Sequence, residues 1–132
     1  MEQQQSTSPL RILYVEDNKL IREITYELLL ESFRQVTAVA TAEEALNAFS
    51  TQRFDLVTTD VNLPAMSGIE LARQIQRLDP SVPIILASGY TLDPSCCGFG
   101  PKVRAITKPV DPHDLEVLIQ ELCDRGPLAD DR

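Results

Sequence analysis

Four apolar runs in this sequence end on residues that can do chemistry. Leu13-Tyr14-Val15 runs into Glu16-Asp17, and Leu56-Val57-Thr58-Thr59 runs into Asp60. Ile84-Ile85-Leu86-Ala87 ends in Ser88-Gly89, and Val103-Arg104-Ala105-Ile106-Thr107 ends in Lys108-Pro109. Taken singly, each has an ordinary reading. Asp at a strand end is a turn residue or a helix cap, Glu16-Asp17 is a solvated turn, and a Lys before Pro is surface. If the runs are parallel strands, however, three carboxylates, a hydroxyl and an ammonium share one rim. Clustered carboxylates repel unless a cation neutralises them, and oxygen-only ligation with room for waters suits Mg²⁺. A carboxylate beside bound Mg²⁺ can attack phosphorus and give an acyl phosphate. That chemistry needs metal on the phosphoryl oxygens, a second cation and small hydrogen-bond donors. Lys108 supplies the cation, and Ser88 with nearby backbone N–H groups supplies the donors.

The surrounding pattern predicts the elements that position this set. Residues 11–15, 35–39, 54–59, 83–87 and 103–107 read as strands, the first continuously apolar as in a strand buried on both faces. Between them lie helical periodicities: Leu20, Ile21, Ile24 and Leu28, then Ala45, Leu46 and Phe49, then Leu71, Ile75 and Leu78. A last helix turns Leu115, Leu118, Ile119 and Leu122 inward. Thr41 with Glu44 and Ser67 with Glu70 have capping-box spacing, and Asp111-Pro112 is a cap followed by Pro at the first helical position. Residues 91–101 hold Pro94, Gly98, Gly100 and Pro101, which leave room for about one helical turn. The alternation is (βα)5, which requires parallel strands, right-handed crossovers and helices on both faces of a doubly wound sheet. Ligands of such sheets bind beyond the carboxyl ends of the strands, where the four chemical groups stand.

Composition narrows the function. The 132 residues fit one domain, read as 10–124 between a disordered N-terminal tail, 1–9, and a C-terminal tail, 125–132. Twelve Lys and Arg against 20 Asp and Glu leave a net charge of −8, which disfavours a nucleic-acid or anionic-membrane surface. The sequence has no run of about 20 apolar residues and no signal-peptide pattern, so a cytoplasmic location is expected. Cys96, Cys97 and Cys123, with one His and no C-x-x-C spacing, read as reduced thiols rather than a zinc site.

The segments Leu13-Tyr14-Val15-Glu16-Asp17-Asn18, Thr59-Asp60-Val61-Asn62-Leu63-Pro64-Ala65-Met66-Ser67-Gly68, Leu86-Ala87-Ser88-Gly89 and Thr107-Lys108-Pro109 together resemble the receiver domain of two-component response regulators. The resemblance covers about residues 10–124. It implies a flavodoxin-like, doubly wound parallel five-stranded sheet of order 2-1-3-4-5. It implies that Asp60 accepts phosphate from a phosphohistidine on a histidine kinase or histidine phosphotransfer protein. It further implies that Asp17 and Asp60 ligate Mg²⁺ directly, Glu16 through water and Asn62 by its backbone carbonyl. Lys108 would pair with the phosphoryl oxygens, Ser88 would turn inward to the phosphate, and the bond before Pro109 would be cis. An output partner or a homodimer would use the face between the fourth and fifth helices. The chain would then be a regulatory phosphoacceptor, not an enzyme on another substrate. It would stand free or be part of a larger protein, a hybrid histidine kinase foremost.

Two departures mark the sequence. Receivers often carry Tyr or Phe three residues before the lysine, and here that residue is Ala105, with Tyr90 as a substitute or merely a shield of the site. The stretch from Ser88 to Lys108 is short and makes a poor fourth helix. Three rival readings fit the residues less well. A haloacid-dehalogenase-like phosphatase wants an acid two residues after the nucleophile, where Asn62 stands. A flavodoxin-like FMN module wants a Ser/Thr/Gly-rich loop after the first strand, where the loop is acidic and would repel phosphate. A docking module working without phosphorylation has no need of the complete acidic set with Lys108.

Overall fold

The computed structural model describes the backbone of residues 8–130 and the side chains of residues 8–123. Strand β1 (Ser8–Val15) leads to helix α1 (Lys19–Leu30), followed by β2 (Phe33–Val39), α2 (Ala42–Thr51), β3 (Leu56–Asp60) and α3 (Gly68–Leu78). The chain ends in β4 (Ile84–Ser88), a single 3-10 turn (Pro94–Cys97), β5 (Val103–Thr107) and α4 (Pro112–Asp130). All strand pairs are parallel and the sheet order is β2-β1-β3-β4-β5. The predicted doubly wound sheet is thus the observed one, with four α-helices. In the fourth connection the two Pro and two Gly hold the chain to the 3-10 turn, and α4 is the helix that follows β5.

Strand alternation sorts the core into two layers. Leu13, Val15, Val57, Ile84 and Leu86 face α2 and α3, where they meet Ala45, Leu71 and Ile75. Ile12, Tyr14, Leu56 and Ile85 face α1 and α4, where they meet Leu29, Leu115 and Ile119. The caps follow the sequence. Thr41 Oγ1 accepts from the Glu44 N–H, and the Glu44 carboxylate reaches back to the Ala40 N–H. Ser67 Oγ accepts from the Glu70 N–H, and Asp111 Oδ1 accepts from the His113 N–H.

Several expectations need correction. The apolar stripe of α1 does not face the core: Leu20 is 66% exposed and Ile24 52% exposed, and Leu29 is the buried residue of that helix. Periodicity shows that a helix has an apolar side but not that its own sheet covers it. Leu78 is also exposed, since it is the last residue of α3 and opens on a groove beside Phe49 and Phe54. β1 starts at Ser8, within the expected tail, because the Ser8 N–H bonds the Ser32 carbonyl at the start of the β1–β2 ladder. Residues 1–7 of that tail lie outside the described residues. α4 continues past 124 to Asp130, through Gly126 and Pro127, although Pro127 has no N–H to add to the helix ladder. Residues 131 and 132 lie outside the described residues. Among the described residues no helix is long and apolar enough to cross a membrane.

Candidate functional site

The carboxyl ends of β1, β3 and β5 bring Glu16, Asp17, Asp60 and Lys108 together. Glu16 and Asp60 are buried, and Asp17 stands at the solvent edge. One carboxylate oxygen from each of the three lies within 4.8 Å of the others. Lys108 Nζ donates to Asp60 Oδ2 at 2.8 Å and lies 3.9 Å from Glu16 Oε1. The Lys108–Pro109 bond is cis, as the resemblance implies.

The backbone fixes each group. The Glu16 N–H bonds the Val39 carbonyl at 3.0 Å and so extends the β1–β2 ladder to the site. The Glu16 carboxylate accepts from the Asn18 N–H, and Asn18 Oδ1 caps α1 on the Ile21 N–H. Asp60 Oδ1 accepts from the Asn62 N–H at 3.1 Å, so Asn62 orients the carboxylate. After β3 the chain turns sharply, with Ala65 at φ 69° in the left-handed region, and the Gly68 N–H returns to the Val61 carbonyl at 2.8 Å. The Lys108 N–H bonds the Ser88 carbonyl at 2.7 Å, which ties β5 to the end of β4.

Charge at the site is unbalanced. Burial pushes the Glu16 carboxyl above its ordinary range, and the neighbouring Asp60 and Asp17 add to this. The Asn18 N–H and Lys108 pull the other way without prevailing. For Lys108, burial opposes the charge, but the Asp60 hydrogen bond and the Glu16 carboxylate outweigh it, so the ammonium is held above its usual value. Beneath the site the Tyr14 hydroxyl, buried and bonded to Thr25, is pushed up to about 12 and stays neutral. Three carboxylates facing one ammonium form a hard-oxygen donor set that a small divalent cation fits. Octahedral Mg²⁺ with bonds of about 2.1 Å spans about 4.2 Å between opposite ligands. Glu16, Asp17 and Asp60, each with a carboxylate oxygen within 4.8 Å of the others, are the residues that could hold such a cation.

Ser88 is fully buried at the next strand end, and its hydroxyl accepts from the Tyr90 N–H at 3.1 Å. Tyr90 is more than half exposed and is not among the residues lining the cavity at Asp60 and Lys108. Ala105 lines an open groove with Leu92, Phe99, Arg104 and Leu122, on the flank that the missing helix leaves bare. An apolar cavity of about 320 Å³ runs from Asp60 and Lys108 between α1 and α4, with Ile21 and Ile24 at its side.

Arg22 escaped the sequence reading, and Gly68 entered it only as the end of a motif. Arg22 Nη1 donates to the carbonyl oxygens of Glu16 and Asp17; a basic residue one turn after an acidic pair is its only sequence signal. Gly68 packs so closely on β3 that a Cβ there would lie 2.1 Å from the Asp60 carbonyl oxygen. Its place eight residues after Asp60 does not reveal that contact.

Comparison with known proteins agrees with this geometry. A family model described as the response regulator receiver domain matches residues 12–120. The sensor protein TorS of Escherichia coli K12 is 39% identical over 85 residues, covering 64% of this chain and 9% of that protein. The two-component response regulator PhoP of Pseudomonas aeruginosa is 40% identical over 77 residues, covering 58% of this chain and 34% of that protein. The chain thus spans about a third or less of these curated relatives. A CheY-like receiver domain from Methanospirillum hungatei superposes with a TM-score of 0.81 at 32% identity, covering 92% of this chain and 99% of that one. The receiver domain of the hybrid histidine kinase CckA superposes with a TM-score of 0.71 at 26% identity, covering 86% of this chain and 98% of that one.

Proposed function

This chain belongs to the response regulator receiver domain family, and from that premise we propose that Asp60 takes a phosphoryl group from a phosphohistidine on a histidine kinase or histidine phosphotransfer protein. The observation that carries the assignment is the convergence of Glu16, Asp17 and Asp60 around the 2.8 Å Lys108–Asp60 contact. An Asp60 oxygen attacks phosphorus, an O–P bond forms, and the N–P bond of the donor breaks with its electron pair left on the imidazole. Asp17 and Asp60 directly, Glu16 through water and the Asn62 carbonyl would hold Mg²⁺, which would supply neutralising charge for the phosphoryl oxygens. Lys108 follows the charge from the carboxylate to the new phosphoryl group, and the Ser88 hydroxyl, whose oxygen accepts from the Tyr90 N–H at rest, turns to donate its O–H to a phosphoryl oxygen. The chain acts as a regulatory phosphoacceptor in the cytoplasm, its chemistry limited to gaining and losing this group, and the unit that does so is residues 10–124. The residue two positions after Asp60 is Asn62, whose side chain offers no acid, and that weighs against a phosphatase.

The donor protein docks on the exposed stripe of α1. Leu20, Ile21 and Ile24 are exposed beside a cavity that opens on Asp60, so an apolar helix face seated there would bring its phosphohistidine to the carboxylate. The test of the whole reading is labelling. With Mg²⁺ and acetyl phosphate, intact-mass spectrometry is expected to show one added phosphate on the parent and none on Asp60→Asn. Equal labelling of the variant would move the acceptor elsewhere.

Output passes through the segment after β4 and the groove between it and α4, where a partner or a second copy binds. With alanine at 105 no ring is available to turn, and the single 3-10 turn is a marginal element that a new bond to Ser88 can reorder. Beryllofluoride on Asp60 is expected to change amide exchange mainly in residues 88–101, with little change at Ala105. A response confined to β5 and α4 would place the output route elsewhere.

A further inference from the structure

We propose that Arg22 is a positioning residue for phosphoryl transfer, one that sets Mg²⁺ affinity by clamping the acidic loop; this rests on the reading of Asp60 as a Mg²⁺-dependent phosphoacceptor. Glu16 and Asp17 lie where the chain leaves the sheet. Beyond the Glu16 N–H bond to Val39, the strand ladder no longer holds the loop. From the α1 side the loop is held by the Asn18 bonds to the Glu16 carboxylate and the Ile21 N–H, and by Arg22 through its backbone and its side chain. The Arg22 backbone N–H bonds the Asn18 carbonyl at 2.9 Å as the helix begins. The Arg22 side chain folds back across that turn, and one nitrogen, Nη1, donates to the Glu16 carbonyl at 2.8 Å and the Asp17 carbonyl at 3.4 Å. Arg22 is half-buried there, and bonds from a guanidinium to neutral carbonyls are charge-assisted.

The two clamped carbonyls belong to the two residues whose carboxylates must meet Asp60 within 4.8 Å. Without the clamp the Asp17 side chain, already at the solvent edge, leaves the cluster first, and the cation loses a direct ligand. The sign of the effect separates this role from simple charge. A second cation near the site repels Mg²⁺, so if Arg22 acted only through its charge, removing it would tighten metal binding. A clamp predicts the opposite.

The test is thermal unfolding of the full chain across Mg²⁺ concentrations, which gives the Mg²⁺ dissociation constant without recourse to phosphorylation. Arg22→Met keeps the stem and removes the donors, and it is expected to raise that constant about tenfold, as loss of an outer-shell partner does at metal sites. Arg22→Lys, which keeps one charged donor group, should recover part of the loss. The rate of Asp60 labelling by acetyl phosphate should fall at low Mg²⁺ and return to the parent value at saturating Mg²⁺. If Arg22→Met does not fold, Arg22→Gln is read the same way. A purely structural role would lower the metal-free melting temperature and leave the Mg²⁺ constant unchanged, which overturns the inference, as does tighter Mg²⁺ binding. A parent with no Mg²⁺-dependent shift overturns the metal reading and this inference with it. A parent that binds Mg²⁺ beside an unaffected Arg22→Met overturns this inference alone.

Discussion

Gly68→Ala is expected to destabilise the protein by about 3 kcal/mol and to slow labelling of Asp60 by at least about tenfold. The added methyl would stand 2.1 Å from the Asp60 carbonyl oxygen and 2.9 Å from the Val61 Cα. Both are backbone atoms of a central strand end, and neither can rotate away as a side chain could. Either the start of α3 withdraws, breaking the Gly68 N–H bond to the Val61 carbonyl, or the end of β3 shifts and carries the Asp60 carboxylate with it. The first outcome costs stability and the second costs rate. Urea unfolding and the labelling rate at saturating Mg²⁺ separate them. Gly89→Ala is the internal control, because no atom lies within 4 Å of a Cβ there, and it should leave stability near the parent value. Parent-like stability and rate in Gly68→Ala would mean that the close approach of α3 to β3 does not position the acceptor.

The reach of the sequence follows from which constraints are local. The strands were legible because Ile12 to Val15 and Ile84 to Leu86 read as buried on both faces, and short alternating connections make the sheet parallel, whereas the strand order came from the resemblance and not from the pattern. Capping at Thr41, Ser67 and Asp111 was legible because donor and acceptor lie within three residues. The convergence of Glu16, Asp17, Asp60 and Lys108 was legible because each closes its own strand at the end where such sheets bind ligands. What sequence could not show depends on contacts between distant segments. The apolar stripe of α1 looks the same whether the sheet or a partner covers it, and here the sheet takes Leu29 and leaves Ile24 out. The value of Gly68 lies in a carbonyl eight residues away, and that of Arg22 in two carbonyls on the far side of a turn. That Ser88 Oγ accepts from the Tyr90 N–H is a local bond that no spacing in the sequence settles.

Lys108→Met should lower the rate of Asp60 labelling by about 10²- to 10³-fold at saturating Mg²⁺, the range seen when one preorganised electrostatic group is removed from a transfer site. The ammonium is the single cation bonded to the carboxylate cluster among the described residues, 2.8 Å from Asp60 and 3.9 Å from Glu16. As phosphorus moves onto Asp60, negative charge spreads over three phosphoryl oxygens, and bound metal covers only part of it. A methionine fills the same volume and leaves the rest uncovered in a half-buried site where water screens poorly. The metal-free variant should also melt lower than the parent, since three carboxylates then face one another with no counter-charge. Mg²⁺ should restore more stability to it than to the parent, because the cation replaces the missing one. The two readouts therefore separate on adding Mg²⁺: stability recovers and rate does not. Lys108→Arg keeps the charge but delivers it as a longer planar fork, so its stability should stay near the parent while its rate falls to an intermediate value. A Lys108→Met protein that labels at the parent rate once Mg²⁺ is saturating would show that the lysine only balances charge in the resting site and takes no part in transfer.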